Sequence, residues 1–149
     1  MLLFAFILTS LKIIDLLKPA KEGTLNVLRS VAKAPSVKRV IVTSSVAAIA
    51  YNGGRLPSDH VYSGADWSHE DYLREKGFWY PLSKTLAEKA AWDFIKDLKA
   101  SGREITLATV NPTLVVGPML QSTLNTSSEF VKSLLVRLQF IFLVFSFPY

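Results

Sequence analysis

Apolar positions along this chain follow two rhythms, one suited to helices and one to strands. Leu25, Leu28 and Ala32 follow Pro19 at helical spacing. Proline suits the first turn of a helix, so a helix is predicted from about Pro19 to Ala34, where Pro35 stops it. Val37 to Ser45 holds the β-branched run Val40-Ile41-Val42-Thr43, which predicts a short buried strand. Ala47 to Ala50 is small and apolar, Asn52-Gly53-Gly54 is a strong turn signal, and Arg55 to Asp66 reads as loop. The longest pattern opens at Trp79. Leu82, Leu86, Ala90, Phe94 and Leu98 recur every fourth position, with Lys89, Lys96 and Asp97 off that stripe. An amphipathic helix is predicted there, stopped by Ser101-Gly102. Ile105 to Val110 predicts a second strand, Asn111-Pro112 breaks it, and Gly117-Pro118 turns the chain again. Another helix is predicted to start near Thr126 to Ser128.

Helix, strand, helix, strand with short connections predicts an α/β fold with a parallel sheet. Ligands in such sheets gather at the carboxyl ends of the strands. Those ends are Ser44 and Ser45 after the first strand and Asn111 to Val115 after the second, and Tyr80 opens the helix between them. Three separate pieces of chain are thus expected on one edge.

Composition narrows the classes. The 149 residues suffice for one core, and with half of them hydrophobic and 19% charged the chain reads as globular. The net charge of +5 comes from scattered basic residues, which argues against nucleic acid. With no cysteine, a disulfide framework and a thiolate metal site are excluded. His60 and His69 are the only imidazoles; no metal site is predicted, and each is expected as a surface loop residue. Met1 to Leu8 is all apolar, and Ser133 to Phe147 is nearly so. Neither run reaches the roughly 18–20 apolar residues of a spanning helix, and the first lacks the charged start and cleavage site of a signal peptide. A weak membrane anchor is the less favoured reading; buried strands, or ends outside the fold, are the others. Residues 1–13 are accordingly taken as a leader, 14–134 as the domain and 135–149 as a tail, in a cytoplasmic protein.

The candidate chemistry lies at Trp79-Tyr80-Pro81-Leu82-Ser83-Lys84. Residues four apart on a helix share a face, and an ammonium beside a phenol makes the phenol proton easier to transfer. Such a pair can protonate a carbonyl oxygen as hydride arrives, or take the proton from an alcohol in reverse. The pattern alone is weak, since Tyr72 and Lys76 repeat it. Tyr72 sits in a short charged stretch ending at Gly77, whereas Tyr80 opens the long amphipathic run, and a catalytic tyrosine needs a packed helix beneath it. A Ser45 hydroxyl near Tyr80 would donate to the same oxygen and share its developing charge. Pro112 removes a donor, and the turn after it leaves backbone groups free to clamp a nicotinamide amide.

Four blocks in order resemble the short-chain dehydrogenase/reductases of extended type, and among them the plant dihydroflavonol reductase and cinnamoyl-CoA reductase-like group. They are Lys18 to Leu28, Lys38-Arg-Val-Ile-Val-Thr-Ser-Ser45, Trp79-Tyr-Pro-Leu-Ser-Lys84 on to Trp92, and Val110-Asn-Pro-Thr-Leu-Val-Val-Gly-Pro118, with Gln121 to Ser127 continuing the likeness. The resemblance runs from about Ile14 to Leu134 and implies a partial Rossmann-like domain. It implies Ser45, Tyr80 and Lys84 as the catalytic set. It implies NADPH (NADP) contacts from Lys84, from Pro112, Thr113, Leu114 and Val115, and from Ser127. It makes Tyr72 a bystander.

The sequence departs from that pattern. No Gly-x-Gly-x-x-Gly or Gly-x-x-Gly-x-x-Gly occurs to cradle a pyrophosphate. The early strands, the basic residue for the 2′-phosphate and the substrate half have no counterpart. The chain is expected to be the middle of a reductase and to bind NADPH weakly by itself. Tyr80-Pro-Leu-Ser-Lys84 lacks the cysteine and second tyrosine of lignin-type cinnamoyl-CoA reductases, which favours a small aromatic aldehyde or ketone over a CoA thioester. A nucleotide-sugar epimerase or dehydratase, and a non-catalytic or membrane-associated remnant, are the competing readings.

Overall fold

The computed structural model describes residues 13–118 and 120–145. The apolar leader up to residue 12 and the end of the tail lie outside them. The chain divides into two compact units, one ending at Thr113 and one beginning at Leu114.

In the first unit a single π-helical turn, Ile13–Leu17, leads into helix α1, Lys18–Lys33, with Pro19 in its first turn as its ring requires. Strand β1 is Arg39–Thr43, and a 3-10 turn, Val46–Ala48, follows it. Helix α2 is Glu70–Lys76, helix α3 is Trp79–Ala100, and strand β2 is Thr106–Val110. The two strands pair in parallel, from Arg39 opposite Thr106 to Thr43 opposite Val110. Parallel partners need a long crossover, and the segment with α2 and α3 supplies it. This is the α/β architecture expected, a parallel sheet with flanking helices, in keeping with part of a Rossmann-like fold.

The core has two centres. Leu28 of α1, Ala91 and Ile95 of α3 and Ile105 before β2 form the first, with Val40, Val42 and Leu107 packed on it from the sheet. Leu17, Leu73 and Leu82 form the second, joined by Tyr72, Trp79 and Leu86. The predicted four-residue stripe on α3 connects them: Leu82 and Leu86 belong to the second centre, Phe94 and Leu98 to the first. A strict four-residue repeat walks about 40° round a helix at each step, so the stripe winds from one centre to the other. The fully buried line runs beside it through Thr85, Glu88, Ala91 and Ile95.

The strands are buried on one face only. Val40 and Val42 meet the core, while Ile41 between them is 65% exposed. The β-branched run therefore marks a strand, but not one covered on both sides by the described residues.

In the second unit the chain is exposed through Leu114, Val115 and Val116 and then enters helix α4, Thr126–Phe145. Asn125 starts this helix, its Oδ1 accepting from the Ser128 N–H at 2.8 Å. No helix among the described residues is long and apolar enough to cross a membrane.

Candidate active site

Local sequence fixes where the phenol stands. Gly77 takes the left-handed conformation (φ 67°) that ends α2, and the Phe78 N–H returns to the Leu73 carbonyl at 2.8 Å. The chain turns directly into α3, so Tyr80 lies in its first turn with Pro81 and Leu82 buried beside it. Tyr80 itself is 52% exposed. Lys84 is half-buried one turn on, with its Nζ 6.0 Å from the centre of the Tyr80 ring. A solvent-facing phenol and a half-buried ammonium thus share one face of a helix that is packed along its inner line through Leu82, Thr85, Glu88, Ala91 and Ile95.

Ser45 stands where β1 has ended. Its Oγ accepts from the Ala47 N–H at 3.2 Å, which leaves the hydroxyl proton free to donate. The 3-10 turn that follows packs against α3. It is also stitched from behind. The buried Ser68 hydroxyl donates to the Ala47 carbonyl at 2.9 Å and accepts from the Tyr51 N–H at 2.9 Å, and the Ser68 N–H donates to the Ala48 carbonyl at 2.8 Å.

The pairing continues past the carboxyl ends of the two strands. The Ser44 N–H donates to the Val110 carbonyl at 2.8 Å, and the Val46 N–H donates to the Pro112 carbonyl at 2.9 Å. The Pro112 carbonyl thus commits one of its two lone pairs to the Val46 N–H. Thr113 follows at the end of the first unit, exposed. Of the other expected cofactor residues, Leu114 and Val115 are exposed and Ser127 is half-buried in the first turn of α4, all in the second unit.

One part of this arrangement was not foreseen. Glu88, 4% exposed, is one turn beyond Lys84 and two beyond Tyr80. Its Oε2 accepts from Asn111 Nδ2 at 2.8 Å, and the same nitrogen donates to the Ser45 carbonyl at 3.1 Å. Its Oε1 faces the Trp92 indole N–H at 3.5 Å. The signal available in the sequence was an acid at the next step of the Tyr80–Lys84 spacing, on the side of the helix that turns inward.

Tyr72 has a packed setting too, although its stretch of chain is short and charged. Its ring is half-buried against the second core centre, edge-on to Phe78 at 6.0 Å, with the Arg55 guanidinium 5.9 Å from its centre. What separates the tyrosines is that one ring is enclosed and the other open. The histidines are more than loop decoration. His69 Nδ1 accepts from the Tyr72 N–H at 3.3 Å and caps α2, and His60 Nε2 lies 3.0 Å from Asp66 Oδ1. Asp66 also accepts from the Ser63 N–H at 2.6 Å, which above all holds its carboxyl below the usual aspartate value. Among the described residues no cluster could hold a metal ion.

A parallel α/β unit with a Tyr-x-x-x-Lys pair on the helix beside the strand ends has the make-up of a dehydrogenase/reductase of short-chain type. No protein-family model matches the chain. It is 46% identical over 121 residues to a cinnamoyl-CoA reductase of Medicago truncatula, covering 81% of this chain and 36% of that protein. It is 40% identical over 124 residues to tetraketide alpha-pyrone reductase 1 of Arabidopsis thaliana, covering 81% and 35%. In structure it is similar to the yeast methylglyoxal/isovaleraldehyde reductase Gre2 complexed with NADPH, with a TM-score of 0.71 at 34% identity over 83% of this chain and 39% of that one. The chain thus spans little more than a third of the length of these relatives. It is a member of the short-chain dehydrogenase/reductase superfamily, related to the plant dihydroflavonol, anthocyanidin and cinnamoyl-CoA reductases.

Proposed function

We propose that this chain carries the proton-transfer half of an NADPH-dependent carbonyl reductase acting on a small aromatic aldehyde or ketone. The observation that carries the reading is the half-exposed Tyr80 phenol with Lys84 Nζ 6.0 Å from its ring, on a helix pinned by two core centres. Buried chain beneath the pair keeps it rigid, which a positioned acid requires.

The residues fit one end of a dinucleotide. Lys84 offers an ammonium to ribose hydroxyls, and the chain around Pro112 and Thr113 lies at the strand end where such ligands collect. Leu114, Val115 and Ser127 are the further contacts carried over from the resemblance. The pyrophosphate end has no glycine-rich cradle in these residues. When bound, NADPH supplies the hydride. The protein supplies the rest. The Tyr80 hydroxyl gives its proton to the carbonyl oxygen as negative charge grows there, and the Lys84 ammonium favours the phenolate left behind. The Ser45 hydroxyl, with its proton uncommitted, donates to the same oxygen and shares its charge.

All three relatives named above are called reductases, which supports the reaction class. One is named for a CoA thioester, so cinnamoyl-CoA belongs in the assay beside the aldehydes. The test grafts residues 14–134 into the corresponding place of such a relative and follows NADPH absorbance with phenylacetaldehyde, cinnamaldehyde and cinnamoyl-CoA. Turnover of the aldehydes that is lost in Tyr80→Phe is expected. Equal turnover with phenylalanine at that position would overturn the assignment.

A further inference from the structure

Glu88 is a buried carboxyl group with no lysine, arginine or histidine within ion-pair distance among the described residues. A group of that kind needs partners to be tolerated. Its partner is Asn111 Nδ2 at 2.8 Å, at the end of β2. That nitrogen has two protons, and its other bond goes to the Ser45 carbonyl at 3.1 Å. The Ser45 carbonyl also accepts from the Ala48 N–H at 2.9 Å, so both its lone pairs are occupied. One amide group therefore joins helix α3, the end of β2 and the second residue after β1. The next bond, from the Val46 N–H to the Pro112 carbonyl at 2.9 Å, doubles the joint.

The helix end of this joint is set by spacing. Tyr80, Lys84 and Glu88 follow one another four residues apart, so a displacement of Ser45 relative to Glu88 is a displacement relative to the phenol as well. The neighbours of Ser45 are bonded to β2 and to the chain after it, through the Ser44 N–H on Val110 and the Val46 N–H on Pro112. Its side chain is tied only to the Ala47 N–H, and the bond that runs from Ser45 to α3 passes through Asn111.

We propose that Glu88 is a positioning residue: through Asn111 it fixes the Ser45 segment against the helix that carries Tyr80 and Lys84. The role it serves rests on the reductase reading above, but the mechanical link does not. A glutamine there, with its oxygen toward Asn111, keeps the 2.8 Å bond that makes the link and gives up only the long 3.5 Å contact of the other oxygen with the Trp92 indole N–H.

The test is amide hydrogen exchange by NMR on the 149-residue chain, with no cofactor present. The reporters are the Val46, Ala47 and Ala48 amides, whose partners are Pro112, the Ser45 hydroxyl and the Ser45 carbonyl. The controls are the Val42 and Ala108 amides, which the alternation set by the Thr106 N–H to Lys38 and Ser44 N–H to Val110 bonds directs into the ladder between the strands. Glu88→Ala should speed exchange at the three reporters at least tenfold and leave the controls unchanged, and Glu88→Gln should restore protection. Asn111→Ala breaks the link from the other end with α3 intact. It should match Glu88→Ala, and it carries the measurement if that variant does not fold. Unchanged reporters in Asn111→Ala, failure of glutamine to restore them, or parallel loosening of reporters and controls would overturn the proposal. None of these readings involves turnover, so a graft without reductase activity would refute the function and leave this link standing.

Discussion

Gly53 is packed against the ring of Tyr72. A Cβ at Gly53 would meet Tyr72 Cδ2 at 2.7 Å and Arg55 Nη1 at 2.6 Å, and the backbone there has φ +67°. Its neighbour Gly54 has φ +78° and open space around it. The pair separates strain from contact. Gly54→Ala should cost about 1 kcal/mol for the left-handed backbone alone. Gly53→Ala adds a clash with an enclosed ring and should cost about 2–4 kcal/mol. Thermal melts of the two variants check this; equal shifts would mean that the Tyr72 ring moves aside freely.

The two tyrosines should part company in the grafted reductase. Tyr80→Phe removes a positioned acid and should lower turnover by about 10²–10⁴. Tyr72→Phe keeps the ring that packs on the second core centre and should change turnover little. Steady-state assays of both variants decide it, and greater damage from Tyr72→Phe would move the chemistry to the other pair.

Lys84 is assigned two tasks, ribose and phenol, so Lys84→Ala should weaken NADPH binding and slow turnover together. Lys84→Arg keeps the charge but replaces a compact ammonium with a planar fork, and should recover only part of either. Titration of NADPH with kinetics on the same samples tests this. Full recovery with arginine would show that charge alone suffices.

Much of this was legible in the sequence for a local reason. The helix starts and stops at Pro19, Pro35, Gly77 and Gly102 are backbone constraints that read without a fold, and β-branching marked both strands. Burial was less legible because it depends on what lies opposite. Ile41 and Val42 look alike in sequence, yet one faces the core and the other is 65% exposed. Glu88 was missed for the same reason: a carboxyl on a helix reads as solvent-facing until Asn111, 23 residues away, is seen to bond it. The Tyr80–Lys84 pair could be found because both members lie on one turn, whereas the link to Ser45 passes through long-range contacts.

Acid should loosen the loop before α2 first. The Ser63 N–H, then the Ser63 hydroxyl and His60, hold the Asp66 carboxyl below its ordinary value of about 3.9. The folded group therefore binds fewer protons than the unfolded one. Its contribution to stability is complete above about pH 3.9 and fades as pH falls below that through the lowered folded value. NMR titration of the Asp66 carboxyl carbon should give a midpoint below the model-peptide value, and Asp66→Asn should flatten the loss of loop signals in acid. A midpoint at the ordinary value would remove the argument.

The sheet face that the described residues leave open should make the 149-residue chain self-associate. Arg39, Ile41 and Thr43 of β1 and Thr106, Ala108 and Val110 of β2 all point away from the core, and Ile41 and Val110 are 65% and 52% exposed. Purely parallel sheets are stable when both faces are covered, and open strands with apolar side chains invite pairing with other copies. Ile41→Lys places a charge at the centre of that face and leaves Val40 and Val42 on the core. It should lower the sedimentation-average mass of the purified chain without lowering its melting temperature. In the grafted reductase, whose additional chain is expected to cover this face as parallel sheets require, the same substitution should instead destabilise the protein by several kcal/mol, because a lysine would be buried without a partner. A monodisperse 149-residue chain that Ile41→Lys leaves unchanged would show that this face does not drive association.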